Sequence, residues 1–263
     1  MTTQPDVFDR NMTQYLDEQE RPWSRLRYKL VQANLARHIG QGGLLRVLDA
    51  GGGNGLDTFS LAEQGHDVSL VDYSTEMLEA AAERAAQAGL AERVHIRQAD
   101  LLSLRDLFPA DSFDVVLCHH VLQYIKDARS LCASLVALLQ PGGILSLVTM
   151  NRYSIPYHAA FLRGDLAGAL AQVDARTSQG RIFDAELISY TAEEIAGLLV
   201  GLGCAVEGDY GIRCMCDYWG DNERKSDPAV WAQIEQLEFA LTDRFPYKLL
   251  ARNIQVIARK PQR

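Results

Sequence analysis

The sequence predicts an α/β fold built on a doubly wound, mostly parallel sheet. Between residues 45 and 150, short apolar runs alternate with longer stretches of helical periodicity. A glycine-rich turn, Gly51–Gly55, follows the first apolar run, and Pro141-Gly-Gly143 stands before the last one. Strands that alternate with helices form parallel βαβ units, which place helices on both faces of an open sheet.

Elements in the first half of the chain are separated by clear signals. Residues 21–40 repeat apolar positions at helical spacing. Ser74 has the character of an N-cap for a helix that reaches about residue 88. Pro141-Gly-Gly143 is a stop signal for the helix before it. The predicted strands are residues 45–50, 68–73, 94–99, 113–119 and 144–150, and the other predicted helices are residues 56–64 and 128–139.

The alternation breaks after Asn151. Residues 152–190 are mostly helical in pattern, with glycine breaks and no clear strand, and residues 214–248 form an acidic, aromatic helical segment. Thr191 and Glu194 form a capping box that opens a helix to about residue 202. Strands are predicted at residues 204–213 and 253–258. We therefore expect a single domain over residues 1–263, with a helical segment at 1–40, whose first 20 residues are polar and loosely ordered, and lid inserts at 152–190 and 214–248.

Composition restricts the classes of function. The 263 residues carry 26 Lys and Arg against 34 Asp and Glu, a net charge of −8, which is poor for blanket nucleic-acid binding. No run of eighteen apolar residues and no signal-peptide pattern is present, so we expect a cytoplasmic protein without a membrane partner. The five scattered cysteines favour free thiols, and no metal site is predicted.

The glycine turn predicts a ligand at the carboxyl ends of the strands, and its chemistry leaves two cofactor classes open. A dinucleotide requires G-x-G-x-x-G, but Asp57 stands near the position of the third glycine, where an acid would repel a pyrophosphate. Asp49, at the end of the first strand, suits a cationic ligand such as the amino group and sulfonium of S-adenosylmethionine. The turn therefore favours S-adenosylmethionine over NAD.

Acidic residues also close the next two strands. Asp72 can accept both hydroxyls of a ribose, and Asp100 can accept from an adenine amino group. Singly, each aspartate is more often a turn or capping residue. Three acids at three successive strand ends, next to a glycine turn, indicate a ligand site.

Several motifs together resemble the class I S-adenosylmethionine methyltransferases: Val47-Leu-Asp-Ala-Gly-Gly-Gly-Asn-Gly55, Asp72, Ala99-Asp100 and Leu139-Gln-Pro-Gly-Gly143. The resemblance implies a seven-stranded sheet with the last strand antiparallel, and S-adenosyl-L-methionine as cofactor. Over nearly the whole chain, His119-His-Val-Leu, Gly211-Ile-Arg213 and Ala258-Arg-Lys-Pro261 are similar to the bacterial tRNA 5-carboxymethoxyuridine methyltransferases, which methylate the carboxylate of a modified wobble uridine.

The resemblance implies that Arg27 and His119 join the strand-end residues around the cofactor. The full set predicted for the cofactor is Arg27, Asp49, Gly51, Gly52, Gly53, Asp72, Tyr73, Ala99, Asp100, Leu101 and His119. In the resembling family, the insert after the fifth strand carries a lysine-rich run, whereas residues 171–183 here have only Arg176 and Arg181. Because tRNA needs phosphate contacts, this departure and the acidic balance weaken tRNA as the partner and favour a small-molecule acceptor. The near full-length resemblance favours the tRNA enzyme, so the expected acceptor is the carboxylate of the modified wobble uridine, with a small molecule as the alternative.

A carboxylate acceptor is ionised at neutral pH and needs no general base, but it does need an arginine to hold it. The predicted candidates are Arg213 and Arg252, followed by Arg152 and Tyr153, with a surface ion pair as the alternative for each arginine.

If the acceptor is instead a phenol, amine or enol of a small molecule, His120 or His119 is the candidate base. Packing is the alternative role of His120. A non-catalytic cofactor-binding module and an NAD oxidoreductase are weaker alternatives, because the glycines and acids of the turn are intact and the dinucleotide pattern is not.

Overall fold

Seven strands form one mixed sheet in the order β3-β2-β1-β4-β5-β9-β8. The computed structural model describes residues 19–40, 42–179 and 186–262, so the predictions for residues 1–18 and for Arg181 lie outside the described residues. The strands are β1 (Arg46–Ala50), β2 (Asp67–Asp72), β3 (Val94–Gln98), β4 (Phe113–His119), β5 (Leu139–Met150), β6 (Thr177–Gln179), β7 (Glu186–Ile188), β8 (Ala205–Ile212) and β9 (Asn253–Arg259). Strand β9 runs antiparallel between β5 and β8, which confirms the predicted sheet.

Helices cover both faces of this sheet. They are α1 (Pro22–Ala36), α2 (Leu56–Glu63), α3 (Thr75–Gln87), α4 (Leu104–Leu107), α5 (Ala128–Leu138), α6 (Ser154–Tyr157), α7 (Leu166–Ala171), α8 (Ala192–Val200), α9 (Asn222–Lys225) and α10 (Pro228–Leu241). In β1, Val47 packs in a core with α1, α2 and α3, whereas its neighbour Leu48 packs in a second core with α5 and α8. Alternate strand residues point to opposite faces, so this division shows a sheet buried on both sides.

Capping side chains fix the starts of two helices where the sequence predicted them. Ser74 Oγ accepts the amide of Met77 at 3.3 Å and begins α3. Thr191 and Glu194 exchange hydrogen bonds with each other's backbone amides and begin α8. Each cap satisfies amide donors that the first turn of a helix leaves without partners.

Strand β5 begins earlier than predicted. It starts at Leu139 and runs through Pro141-Gly-Gly143, the segment interpreted from the sequence only as a helix stop. Phe113 pairs with Leu139, and the register then shifts so that Val115 pairs with Ile144. Because the shift leaves four residues of β5 without partners in β4, the proline ring and the positive φ of Gly142 are accommodated there.

The insert at residues 152–190 contains two strands that the sequence did not predict. After α6, a π-helical turn at His158–Leu162 and α7, the short strands β6 and β7 pair antiparallel, with Ser178 opposite Leu187. Strands of three residues are too short to show a period of two in the sequence. The insert at 214–248 is helical as predicted, with α9, α10 and a 3-10 turn at Tyr247–Leu250.

No helix in the described part of the chain is long and apolar enough to span a membrane. All five cysteines are buried and carry free thiols.

Candidate active site

A cleft of about 1460 Å³ opens at the carboxyl ends of the parallel strands. Its walls come from the residues that follow β1, β2, β3 and β4, together with residues of α1, the β6–β7 hairpin and the segment 213–225. Strand β1 lies between β2 and β4, so the winding of the sheet reverses between β1 and β4. Ligands of open α/β sheets bind at such a switch point.

The turn after β1 has no room for a side chain at Gly51 or Gly52. Gly51 has a φ of +80°, and a Cβ added there would lie 2.3 Å from Val121 Cγ2. A Cβ at Gly52 would lie 2.7 Å from the carboxylate carbon of Asp49. Gly51 and Gly53 line the cleft, whereas Gly52 lies behind them. The turn therefore presents bare backbone to a ligand, which is the form that close approach requires.

Asp49 lies beneath this turn and not on the wall of the cleft. It is 1% exposed and accepts a hydrogen bond from Thr58 Oγ1 of α2 at 2.6 Å. Burial and the nearby carboxylate of Asp57 raise the pKa of Asp49 to about 7. The sequence predicted that Asp49 contacts a cationic ligand. The structure does not bring its carboxylate to the cleft but uses it to join the turn to α2.

Asp72 closes β2 and lines the cleft. Its Oδ2 accepts the Gly53 amide at 2.9 Å and its Oδ1 accepts the Ser74 amide at 3.0 Å. Burial raises the pKa of Asp72, and the two backbone hydrogen bonds oppose that rise. Each oxygen can accept a further hydrogen bond, so Asp72 can hold the turn and bind hydroxyl groups of a ligand at the same time.

The wall continues along the ends of β2 and β3. Tyr73, Ala99, Asp100 and Leu101 all line the cleft. The Ala99 amide donates to the carbonyl of Asp72 at 2.9 Å, which holds the two strand ends together. Asp100 is exposed, and its Oδ1 caps the following 3-10 turn through the Leu102 amide at 2.9 Å. Asp100 therefore has the capping role considered from the sequence and also faces the ligand space.

His119, the last residue of β4, is held by a buried polar network. Its Nδ1 lies 3.0 Å from Asp57 Oδ2, and its Nε2 lies 2.9 Å from Ser146 Oγ. Gln255 donates to the same Ser146 Oγ and accepts from Asn34 of α1. Both ring nitrogens of His119 are in hydrogen bonds, which hold the ring in place as part of the cleft wall.

His120 also lines the cleft, but its environment differs. It has a φ of +58°, and its Nε2 is buried with no hydrogen-bond partner among the described residues. Burial, followed by the positive charge of Arg27, lowers the pKa of His120 well below its ordinary value. His120 is therefore neutral at physiological pH and only weakly basic.

Helix α1 closes one side of the cleft. Arg27 lines the cleft, and its guanidinium carbon lies 4.1 Å from the centre of the Tyr28 ring. A guanidinium packed on an aromatic ring is held in orientation without losing its charge.

Two arginines meet on the other side of the cleft. Arg213 follows β8 with a φ of +63°, and Arg252 precedes β9. The Arg252 amide donates to the carbonyl of Arg213 at 2.9 Å, and both side chains line the cleft. Arg213 Nη2 lies 3.0 Å from Asp217 Oδ2, whereas its Nε is buried with no hydrogen-bond partner in the described parts of the chain. Arg213 thus keeps an unused donor.

Arg152 and Tyr153, the other predicted acceptor residues, lie outside the cleft. Arg152 Nη2 forms an ion pair with Glu194 Oε1 of α8 at 2.7 Å. Tyr153 is 43% exposed and borders a separate small cavity. The ion pair considered as the alternative for Arg152 is therefore what the structure shows, and neither residue can hold an acceptor in this cleft.

Sequence reasoning missed several residues of the cleft, among them Trp23, His158, Arg163 and Lys225. Burial, followed by the charge of Arg252, lowers the pKa of His158 to about 3. These residues belong to α1 and the inserts, where no motif or strand end marks a position. Trp219, in the insert at 214–248, also lines the cleft.

The charged residues of the cleft include two groups in different positions. Asp72 and Asp100 lie at the strand ends of one half, and Arg213, Arg252 and Lys225 lie in the half formed by the later segments. The first half fits S-adenosylmethionine, because it combines a turn without side chains, a buried carboxylate for hydroxyl groups and a second carboxylate for an amino group.

A family model described as a methyltransferase domain matches residues 42–191. With this fold and this cleft, the chain belongs to the methyltransferase-domain family and is a class I methyltransferase that uses S-adenosyl-L-methionine as its cofactor.

Within that class, two curated relatives show the range of acceptors. The tRNA 5-carboxymethoxyuridine methyltransferase of Escherichia coli (strain K12) is 31% identical over 245 residues, which cover 90% of this chain and 89% of that protein. The ubiquinone biosynthesis O-methyltransferase of Haemophilus ducreyi is 35% identical over 130 residues, which cover 48% of this chain and 52% of that protein.

A solved structure shows the same fold. The S-adenosylmethionine-dependent methyltransferase of Mesorhizobium loti aligns with a TM-score of 0.57 at 20% identity, covering 88% of this chain and 98% of that chain.

Proposed function

We propose that this methyltransferase methylates a carboxylate, that of 5-carboxymethoxyuridine at the wobble position of tRNA. The observation that carries the proposal is the buried Nε donor of Arg213, which has no partner among the described residues and belongs to a side chain that lines the cleft. A buried donor without a partner is costly, so the site favours an acceptor that brings an oxygen to it. The tRNA enzyme that is similar over 90% of this chain supports the choice of carboxylate.

Arg213 and Arg252 bind and orient the acceptor in this proposal. A guanidinium holds a carboxylate in a fixed planar geometry, and the short contact between the two backbones keeps the arginines side by side. Asp217, which pairs with Arg213, keeps the guanidinium in place before the acceptor arrives. An ionised carboxylate carries its own nucleophilic electron pair, so no residue has to remove a proton.

The other half of the cleft holds the cofactor, which supplies an electrophilic methyl group on a sulfonium sulfur when bound. Asp72, Asp100 and the backbone of Gly51 and Gly53 are the residues that would hold it. Residues of both predicted lid inserts, among them His158 and Trp219, line the cleft, and in this proposal they limit the access of water to the reacting groups.

A gene deletion tests the proposal directly. Nucleoside mass spectrometry of tRNA from a strain that lacks this protein is expected to show accumulated 5-carboxymethoxyuridine and loss of its methyl ester. An unchanged ester content would contradict the proposal. Because tRNA resides in the cytoplasm, we also propose that the protein acts there, as expected from the sequence.

A small-molecule acceptor with His120 as base is the second candidate, since His120 Nε2 is buried in the cleft wall without a described partner. The lowered pKa makes His120 a poor base for a phenol, which favours the carboxylate. The pH profile separates the two: kcat/KM for a carboxylate acceptor should be flat from about pH 6 to pH 9, whereas a phenol should show a rise.

A further inference from the structure

Lys225 is a buried cation in the acceptor half of the cleft. It ends the short helix α9, lines the cleft, and is only 6% exposed. Lysine is almost never fully buried unless a partner balances its charge. The burial of Lys225 therefore calls for an explanation that the proposed carboxylate site does not give.

The surroundings of Lys225 do not neutralise it. Its Nζ donates to the side-chain oxygen of Asn222 at 3.3 Å and lies 5.5 Å from the centre of the Trp23 ring. No described carboxylate lies within ion-pair distance of this ammonium, and Asp217, the acid on the same wall, pairs with Arg213. Both contacts of Lys225 are with uncharged groups, which leaves a buried ammonium without a counter-charge.

Trp23 connects this cation to the carboxylate site. Its carbonyl accepts from Arg213 Nη1 at 3.4 Å, while its ring faces Lys225. Trp23 therefore contacts both Arg213, through its carbonyl, and Lys225, through its ring. Arg213 has the planar fork that suits a carboxylate, whereas the ammonium of Lys225 is a compact point charge of the kind that binds phosphate.

The geometry points to a second anion subsite at Lys225, which binds a phosphate group of the acceptor beside the nucleoside whose carboxylate Arg213 holds. This inference rests on the proposed function, since it takes the acceptor to be a nucleotide. The enzyme then recognises a phosphorylated nucleotide and discriminates against the free nucleoside.

Binding of uridine 3′,5′-bisphosphate and of uridine to the enzyme loaded with S-adenosylhomocysteine tests the subsite without any turnover. Ligand-observed NMR should give about tenfold tighter binding for the bisphosphate, as one charge-assisted contact provides. Lys225→Met, which keeps the length and packing of the side chain, should remove this preference, and Lys225→Arg should retain most of it.

Lys29→Met is the matched control, because Lys29 lies on the exposed face of α1 and pairs with Glu235. This variant should keep the full preference for the bisphosphate. An unchanged affinity for S-adenosylhomocysteine in all three variants shows that the cleft is intact.

Each outcome bears on the inference. Equal binding of uridine and its bisphosphate by the unmodified enzyme, or a preference that persists in Lys225→Met, overturns the phosphate subsite. If the preference depends on Lys225 but tRNA is not methylated, the subsite stands and the proposed wobble-uridine acceptor fails. If tRNA is methylated equally well by Lys225→Met, the proposed function stands and the subsite fails.

Discussion

At the scale of single residues, acidic side chains and arginines occupy different positions in the cleft. Asp72 and Asp100 follow strands β2 and β3, whereas Arg213 and Arg252 flank strands β8 and β9. The sequence could predict the acids, because a strand end after a glycine turn marks their place. The sequence could not predict that Asp49 is buried under the turn and accepts a hydrogen bond from Thr58. The direction in which a side chain points at a strand end depends on tertiary packing.

Removing the guanidinium of Arg213 should weaken binding of the acceptor and leave binding of the cofactor unchanged. We expect Arg213→Ala to raise KM for the modified tRNA about 30-fold or more, as the loss of a charged hydrogen bond does. Calorimetry should find the affinity for S-adenosylhomocysteine unchanged. Arg152→Ala is the control, because Arg152 pairs with Glu194 outside the cleft and should leave KM unaltered. Loss of cofactor affinity in Arg213→Ala would contradict the assigned role.

The raised pKa of Asp49 makes stability depend on pH. The folded protein keeps the proton of Asp49 up to about pH 7, whereas an unfolded aspartate loses its proton near pH 4. Raising the pH between these values removes protons from the unfolded state first, so folding stability falls by up to about 4 kcal/mol across that window.

The variant Asp49→Asn should lose this dependence. Its free energy of unfolding, measured by urea denaturation, minus that of the unmodified protein, should be more positive at pH 8 than at pH 5. The variant is then relatively more stable at the higher pH. A difference that is the same at both pH values would show that Asp49 titrates normally in the folded state.

At the scale of elements, helix α10 positions the segment that carries Arg213, the residue proposed to bind the acceptor. Glu238 of α10 is fully buried, and its two oxygens accept the amides of Cys214, Met215 and Cys216 at 2.6 to 2.8 Å. These three residues lie between Arg213 and Asp217, so one carboxylate fixes the backbone next to Arg213.

Glu238→Gln should therefore affect both stability and acceptor binding. The amide cannot accept at both ends, and one buried N–H loses its partner, which costs about 2 kcal/mol of unfolding free energy. KM for the acceptor should rise, whereas the affinity for S-adenosylhomocysteine should stay unchanged. Glu235→Gln, on the same helix but paired with Lys29 at the surface, should change stability by less than about 1 kcal/mol. Equal changes of stability and KM in the two variants would contradict a positioning role for Glu238.

The elements differed in how well the sequence predicted them, for physical reasons. Strands β1 to β4 and helices α3 and α8 carry their own signals, namely apolar runs, Ser74 as a cap and the Thr191 capping box. Strands β6 and β7 have three residues each, too few to show a period of two, so only tertiary structure defines them. Lys225 was missed because a lysine on a four-residue helix is expected at the surface, and its burial depends on Trp23.

At the scale of the whole molecule, the net charge of −8 limits how the enzyme can hold a large polyanion. In the proposed function, the cations of the cleft act at one nucleotide. We expect an isolated anticodon stem-loop with the modified uridine to be methylated with kcat/KM within about tenfold of full-length tRNA, because distant phosphates add little. Steady-state kinetics on the two substrates, over a series of salt concentrations, measures this. A decrease of about a hundredfold or more for the stem-loop would indicate an extended tRNA surface.

The position of β9 in the sheet determines when β8 can join the sheet during synthesis. Strand β8 has β9 as its neighbour in the sheet, and β9 separates it from β5. During synthesis β8 leaves the ribosome before β9, so it has no sheet edge to join until β9 follows, whereas β1 to β4 pair among themselves from the start. Because Arg213 follows β8 and Arg252 precedes β9, the two arginines come together only when β9 has been inserted between β5 and β8.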